Sequence, residues 1–470
     1  MVKRPRGLNF AAKAKKLKEA SNGGTQSEAQ VTIEVEGDPD NELTQLKGMY
    51  KAFTMEEDEE TAVKLLHGII HECDRMLRNN SDDQPLPSSF HNVYALSLLA
   101  MARFEGDDGD TVEDDGDEEE VESDGNVAGP NGKKTSHANE SKEFILAALE
   151  RANTALEYES DSWELLFTRA KIKMALADEL LNLADPLQRY SVGRSEVIPI
   201  LDQAVNDYET AEQIILAAHD NNKKYTTDQV DSIGMLLQIG DSLGALEVEL
   251  NGEQDDEEED DLEDTNSCED KYDAKTDLQE AQRRYLEWSK TRWEQILTKV
   301  PQGKGKGVSP EDDGDHSYVI ARRANRGMGE FYLAIAGPLL NDIEENGDED
   351  DSDESDSENV EETDLKGLPG DEKSKKYGQK EDLSGKDERD TVSQTKLYLE
   401  TALEYLLKAE HEDSPSTYVL IAEAQISLAN LYPVDSDEQI LLYSEAVSRL
   451  KRAQRLGYGN YQELINDLQG

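Results

Sequence analysis

Apolar residues return every three or four positions along most of this chain, and almost nowhere every two. In DPDNELTQLKGMYKAF (38–53), Leu43, Leu46, Met49, Tyr50 and Phe53 share one helical face behind an Asp/Asn capping zone. TAVKLLHGIIHECDRMLR (61–78) keeps that period through Val63, Leu66, Ile70, Cys73 and Leu77. FHNVYALSLLAMARF (90–104) follows two prolines, a start signal. Helices are expected again over 142–158 and 162–184, joined at Glu159–Asp161 with Asp161 or Ser162 as N-cap. Others follow over 195–219, 226–250, 273–299 and 317–340, with four more at the C-terminal end, the last in NYQELINDLQ. VTIEVE (31–36) is the one strand candidate, and it stands alone in a polar tail. The fold class is all-α.

A second pattern lies on top of the first. Alanine, a bulky residue four positions on, and alanine three further recurs as Ala204/Tyr208/Ala211, Ala402/Leu406/Ala409 and Ala446/Leu450/Ala453, with a weaker copy at Ala148/Ala152/Ala155. Small residues at that spacing let a second helix pack closely on its partner, as in tetratricopeptide hairpins. The first-helix signature of that repeat is degenerate or absent, and 44 residues separate Ala402 from Ala446, against about 34 in the standard repeat. The array is therefore expected to be a TPR-like helical-hairpin solenoid. Pairing 61–78 with 90–104, 142–158 with 162–184, 195–219 with 226–250 and 273–299 with 317–340 places every acidic tract between hairpins and none inside one.

Those tracts are the compositional surprise. The formal net charge is −56, yet residues 105–124, 253–264 and 341–364 hold 37 of the 105 acidic side chains and no Lys or Arg. The other 414 residues carry 68 acidic against 49 basic groups, a net of −19 typical of a folded acidic protein. Segments so charged bury no apolar surface and repel themselves, so 105–138, 252–270 and 341–389 are expected as disordered loops. All three should leave one edge of the solenoid. Domain organisation then reads as a disordered basic tail (1–37) followed by one repeat domain (38–470).

Within the tail, seven of the first twenty residues are basic. Lys3 and Arg4, then Lys15, Lys16 and Lys18, are spaced to fill two acidic pockets of an import receptor when extended, which points to the nucleus. Direct nucleic-acid binding is disfavoured, because the body would repel phosphate and no aromatic-basic platform is present. Two cysteines, Cys73 and Cys268, form no disulfide framework and suit a reducing compartment, in which the sequons at Asn79 and Asn139 carry no meaning. No run is long enough to span a membrane, and no apolar stretch at the start resembles a signal peptide.

No catalytic, cofactor-binding or metal motif emerges. His67 and His71 in HGIIHEC have metal-compatible spacing but no third ligand nearby, and GKGKG (303–307) lacks the Ser/Thr and spacing of a phosphate loop. Trp163, Trp288 and Trp293 sit in helical patterns, where core or inter-repeat contact is the simplest role. Ser355, three residues before Glu358 in an acidic run, is a candidate phosphorylation site.

KRPRGLNFAAKAKK at the start, NELTQLKGMYKAF, GIIHECDRMLR followed by FHNVYALSL, and NYQELINDLQG at the end resemble the fungal enhancer of translation termination family. The resemblance runs end to end and is strongest over 1–104 and 396–470. It implies a nuclear TPR-like adaptor, not an enzyme, that binds a prolyl-hydroxylase-like 2-oxoglutarate dioxygenase. It also implies roles in correct translation termination and in hypoxic gene expression. The dioxygenase partner would bring the iron and 2-oxoglutarate; the chain itself needs no cofactor. The alternative, read from charge alone, is an acidic chaperone for basic proteins such as histones or ribosomal proteins.

Overall fold

The computed structural model describes residues 38, 41–56, 58–80, 85–106, 134–184, 186–217, 226–252, 267–300, 316–347, 384–411 and 414–469. Their regular elements are α-helices and one π-helical turn, with no strand among the described residues; VTIEVE lies outside them. The chain divides into two compact units between Pro85 and Leu86. The boundary falls within the 38–470 span expected as one repeat domain. Pro85 and Pro87 flank the boundary, and prolines in succession cannot carry a helix across it.

The first unit is a helical hairpin. Asn41 caps α1 (Glu42–Met55) by accepting from the Leu43 and Thr44 amides at 3.0 and 3.2 Å, and Asp58 caps α2 (Glu59–Asn79) through the Thr61 amide at 2.9 Å. Leu46 of α1 and Leu66, Ile69, Ile70, Cys73 and Met76 of α2 are buried. Gly68 lets Met49 approach, since an added Cβ would lie 3.3 Å from its terminal methyl. Arg75 ties the hairpin by pairing with Glu42 at 2.7 Å and Glu72 at 2.6 Å.

In the second unit the chain builds α3 (Ser88–Gly106), α4 (Lys134–Tyr158), α5 (Trp163–Leu183), α6 (Pro186–Val192), a π turn (Gly193–Val197), α7 (Ile198–Ala217), α8 (Thr227–Gly252), α9 (Ser267–Lys299), α10 (His316–Gly347), α11 (Ser384–Ala409), α12 (Pro415–Asn430), α13 (Asp437–Arg455) and α14 (Gln462–Asp467). Ser162 takes the cap position of α5 without a side-chain cap bond. Ser436 caps α13 through the Gln439 amide at 3.2 Å. Backbone helix also enters the ends of the expected loops, over 134–138, 267–270, 341–347 and 384–389. Composition registers charge there, but Glu, Lys and Arg are good helix formers.

The pairing differs from the sequence expectation by one helix. The most extensively packed neighbours are α3 with α4, α5 with α7, α8 with α9, α10 with α11, and α12 with α13. The three tracts therefore connect the two helices of one pair instead of separating pairs. The short Glu159–Asp161 connector favours pairing α4 with α5, and those helices do touch. A short connector fixes proximity, however, not which neighbour buries more surface.

Two layers result. First helices α3, α5, α8, α10 and α12 adjoin in order, and second helices α4, α7, α9, α11 and α13 form the other layer. All four sequence-derived alanine seams lie on second helices (α4, α7, α11 and α13), and their residues are buried. A fifth copy, missed in the sequence, occupies α9 as Ala281/Tyr285/Trp288, with Trp288 in the last alanine's place.

Several contacts fix direction. Ser141 bonds Glu179, so α4 opposes α5. Gly240 meets Tyr285, and Ser289 donates to the Ile233 carbonyl, so α8 opposes α9. Trp293 meets Gly327 and Lys290 lies over Phe331, so α9 opposes α10. Gly329 meets Leu406, and Ala336 clusters with Leu399, so α10 opposes α11. Asp202 pairs with Arg284 and Glu209 with Arg292, so α7 runs parallel to α9. The C-terminal ends of α8 and α10 and the N-terminal ends of α4, α9 and α11 consequently share one edge. These are both anchors of the second and third tracts and one of the two anchors of the first, which also leaves from the end of α3 at Gly106, and they agree with the single-edge expectation.

Candidate binding site

The layers are stapled by ion pairs between helices. Asp207 of α7, 3% exposed, accepts from Arg169 Nε and Nη2 at 2.8 and 2.6 Å and from Lys173 Nζ at 2.8 Å. Arg292 reaches Glu209 and Glu212 at 2.9 and 3.2 Å and lies over the Trp288 ring at 4.6 Å. Burial still raises the Glu212 carboxyl, although Arg292 pulls against it. These pairs are consumed in holding neighbouring helices.

Two cavities open on the first-helix layer, one on each side of α8. The smaller, about 210 Å³, lies among α3, α5 and the start of α8 and includes Trp163, Phe167 and Lys171. The larger, about 450 Å³, is lined by the N-terminal half of α8, by α10, by Trp293 of α9 and by Ala409, Ser414 and Thr417. Three arginines of α10 face it: Arg322, Arg323 and Arg326. Arg323 is paired with Asp231, and Arg326 donates to Glu330 and to Ser416 Oγ, each at 2.8 Å. Arg322 has no hydrogen bond or ion pair among the described residues. Trp293 is 1% exposed, and its Nε1–H also lacks an acceptor among them. Gly327 is required there, because a Cβ would sit 2.4 Å from the indole ring. The larger cavity thus offers unspent donors, whereas the interhelical staples do not.

A family model described as "Nuclear pore complex subunit Nro1" matches residues 1–366 and 368–469. The chain belongs to the Nro1 family. Relatives called Enhancer of translation termination 1 match from end to end. The one from Candida albicans is 31% identical over 100% of both chains, and the one from Debaryomyces hansenii is 29% identical over 99% of both. Two solved structures of S. pombe Nro1 also match. One, described as a nuclear import adaptor, is 18% identical with a TM-score of 0.41, covering 91% of this chain and 98% of its own. The other, described as the hypoxic regulator of sterol synthesis and a nuclear import adaptor, is 16% identical with a TM-score of 0.44, covering 91% and 92%.

In this Nro1-family chain the sequence-derived import residues Lys3, Arg4, Lys15, Lys16 and Lys18, and Ser355, lie outside the described residues, as does GKGKG. His67 and His71 are both exposed on α2, and no group of three His, Cys, Asp or Glu side chains among the described residues is placed to hold a metal. Burial pushes the Cys73 thiol up, which leaves it an inert core residue at neutral pH. Trp288 of α9 packs edge-on against Tyr208 of α7 at 5.1 Å, an inter-helix contact, whereas Trp163 packs edge-on against Phe167 at 6.0 Å one turn along the same helix. Trp163 lines the smaller cavity and Trp293 the larger. No described helix is long and apolar enough to cross a membrane.

Proposed function

We propose that this chain is a nuclear adaptor, not an enzyme, that supports correct translation termination and hypoxic gene expression by binding a prolyl-hydroxylase-like 2-oxoglutarate dioxygenase. The observation that carries the reading is the end-to-end match to relatives called Enhancer of translation termination 1. The two-layer array supports it, since stacked helical pairs present an extended preformed surface for a protein ligand. Iron and 2-oxoglutarate belong to the partner. The basic tail serves import, through Lys3, Arg4, Lys15, Lys16 and Lys18, and Ser355 is an acceptor for an acidophilic kinase.

The acidic tracts favour a second reading, a chaperone for basic proteins. Pull-down from fungal nuclear extract separates the two. Tagged full-length chain is compared with one in which 107–133, 253–266 and 348–383 are replaced by short Gly/Ser linkers, leaving the described helices whole. An adaptor retains the dioxygenase in both forms at moderate salt. A chaperone captures basic proteins, loses them with the tracts, and releases them steeply as salt rises. Recovery of basic proteins and no dioxygenase would replace the first reading with the second.

A further inference from the structure

The larger cavity carries more arginines than carboxylates. Its three arginines face two carboxylates, Asp231 and Glu330, leaving one positive charge. Each of those acids is already held by Arg323 or Arg326. Arg322 and the buried Trp293 Nε1–H remain without acceptors among the described residues. A buried donor without an acceptor is costly, and an arginine left unpaired in so acidic a chain is conspicuous. Arg322 is the donor a ligand can reach, since the Trp293 Nε1–H is fully buried against Gly327.

Position makes an anionic ligand tenable despite the −56 charge. Arg326 lies in the first half of α10, and the third tract leaves from Gly347 at its far end. Twenty-one residues of helix separate them, about 30 Å along the axis. That exceeds three screening lengths of about 8 Å at physiological salt. The cavity lies at the edge opposite the tract anchors, among the N-terminal halves of α8 and α10 and the C-terminal ends of α9 and α11, so the field of the tracts is largely screened there. The wall is also partly apolar, through Val230, Met235 and Ala409. One spare charge accepts one carboxylate and offers nothing for a second.

We propose that this cavity binds a peptide segment of a protein partner that presents a single Asp or Glu side chain flanked by apolar residues. The carboxylate is taken by Arg322, above the indole of Trp293 that lines the same cavity, and the flanking side chains rest on Val230, Met235 and Ala409. The site deepens the adaptor reading and rests on it only in taking the ligand to be a peptide.

The test uses the full chain labelled with 5-fluorotryptophan, which gives three ¹⁹F resonances for Trp163, Trp288 and Trp293. Trp293→Phe identifies the third. The probes are acetyl-Ala-Leu-Glu-Leu-Ala-amide, its Gln counterpart and inorganic phosphate. The Glu peptide should move the Trp293 resonance saturably and the Gln peptide should not. Arg322→Gln, at a partly exposed residue with no described partner, should leave the spectrum folded and weaken binding at least about tenfold. Absence of any shift with the Glu peptide, or equal binding by Arg322→Gln, overturns the site. Equal response to phosphate overturns the peptide assignment in favour of a small oxyanion. The segment before α10 carries EDDGD (311–315). If replacing those acids with amides alone moves the Trp293 resonance, the occupant is this chain itself and the external ligand is overturned. A failed dioxygenase pull-down with a positive titration rejects only the identity of the partner.

Discussion

Second helices α11 and α13 keep the alanine seam, whereas α9 breaks it. On α11, Ala402, Leu406 and Ala409 are buried, and Leu406 presses so closely on α10 that position 329 must be glycine, a Cβ there lying 2.4 Å from Leu406 Cγ. On α13, Ala446 and Leu450 merge with Ala422 and Ile465 into an apolar cluster that α14 closes. On α9 the last alanine is replaced by Trp288, which meets Tyr208, donates to Glu209 at 2.9 Å and carries Arg292 on its face. Five residues on, Trp293 borders the cavity. The cavity takes its wall from both kinds of helix, from Trp293 of α9 and from Ala409, the last residue of the α11 seam. What differs is the group each brings to the repeat position: an alanine contributes a methyl group and no polar atom, whereas an indole contributes an N–H that needs an acceptor, which Glu209 supplies to Trp288.

The largest blow to the packed side should come from Leu406→Ala. A fully buried leucine replaced by alanine costs about 2–5 kcal/mol, read as a lower urea midpoint. Gly329→Ala should also destabilise alone, yet be largely absorbed in the Leu406→Ala background, because the atoms it strikes are gone. A double-mutant cycle measures this, and simple additivity would refute the contact. Next comes Ala446→Leu, which overfills a seam and should cost about 1–3 kcal/mol in the same assay. Trp288→Ala restores alanine to the slot on α9. It should cost only about 1–2 kcal/mol, since Trp288 is half-buried. A cost equal to that of Leu406→Ala would erase the distinction between the two kinds of seam.

The smallest effect concerns pH. His91 of α3 is buried, and burial first, then the nearby Arg151 charge, lower its pKa to about 4. The unfolded value is about 6.5. Between those values the unfolded chain binds the extra proton, so the stability His91 contributes is complete above about 6.5 and is lost as pH falls towards 4. His91→Gln should therefore lower the urea midpoint less between pH 7 and pH 5 than the parent chain does. An identical drop would show that His91 is not the responsible group.

Part of the candidate site was visible in the chain. ARRANRG announces basic residues at i, i+1 and i+4 on a helix of an acidic protein, but in a local window such a run reads as a solvated face. What changes it is Asp231, about ninety residues earlier, which occupies Arg323 and leaves Arg322 over. Trp293 was expected as a core or inter-repeat residue, and it is buried. Nothing in the local pattern predicts that its N–H lacks an acceptor among the described residues, because an acceptor is supplied or withheld by other helices. The α9 seam was legible in principle, had Trp288 been allowed in an alanine's place.

Helical faces, alanine seams and the separation of acidic tracts from a mildly charged body were written in the sequence, because they depend on period and composition alone. The phase of the pairing was not. Each helix here has two neighbours able to bury its apolar stripe, and only the competition between them, settled by contacts spanning tens of residues, decides that α4 belongs with α3 and that the tracts leave from within pairs. The tertiary structure also decided the cavity, since a space exists only where side chains from five helices fail to meet.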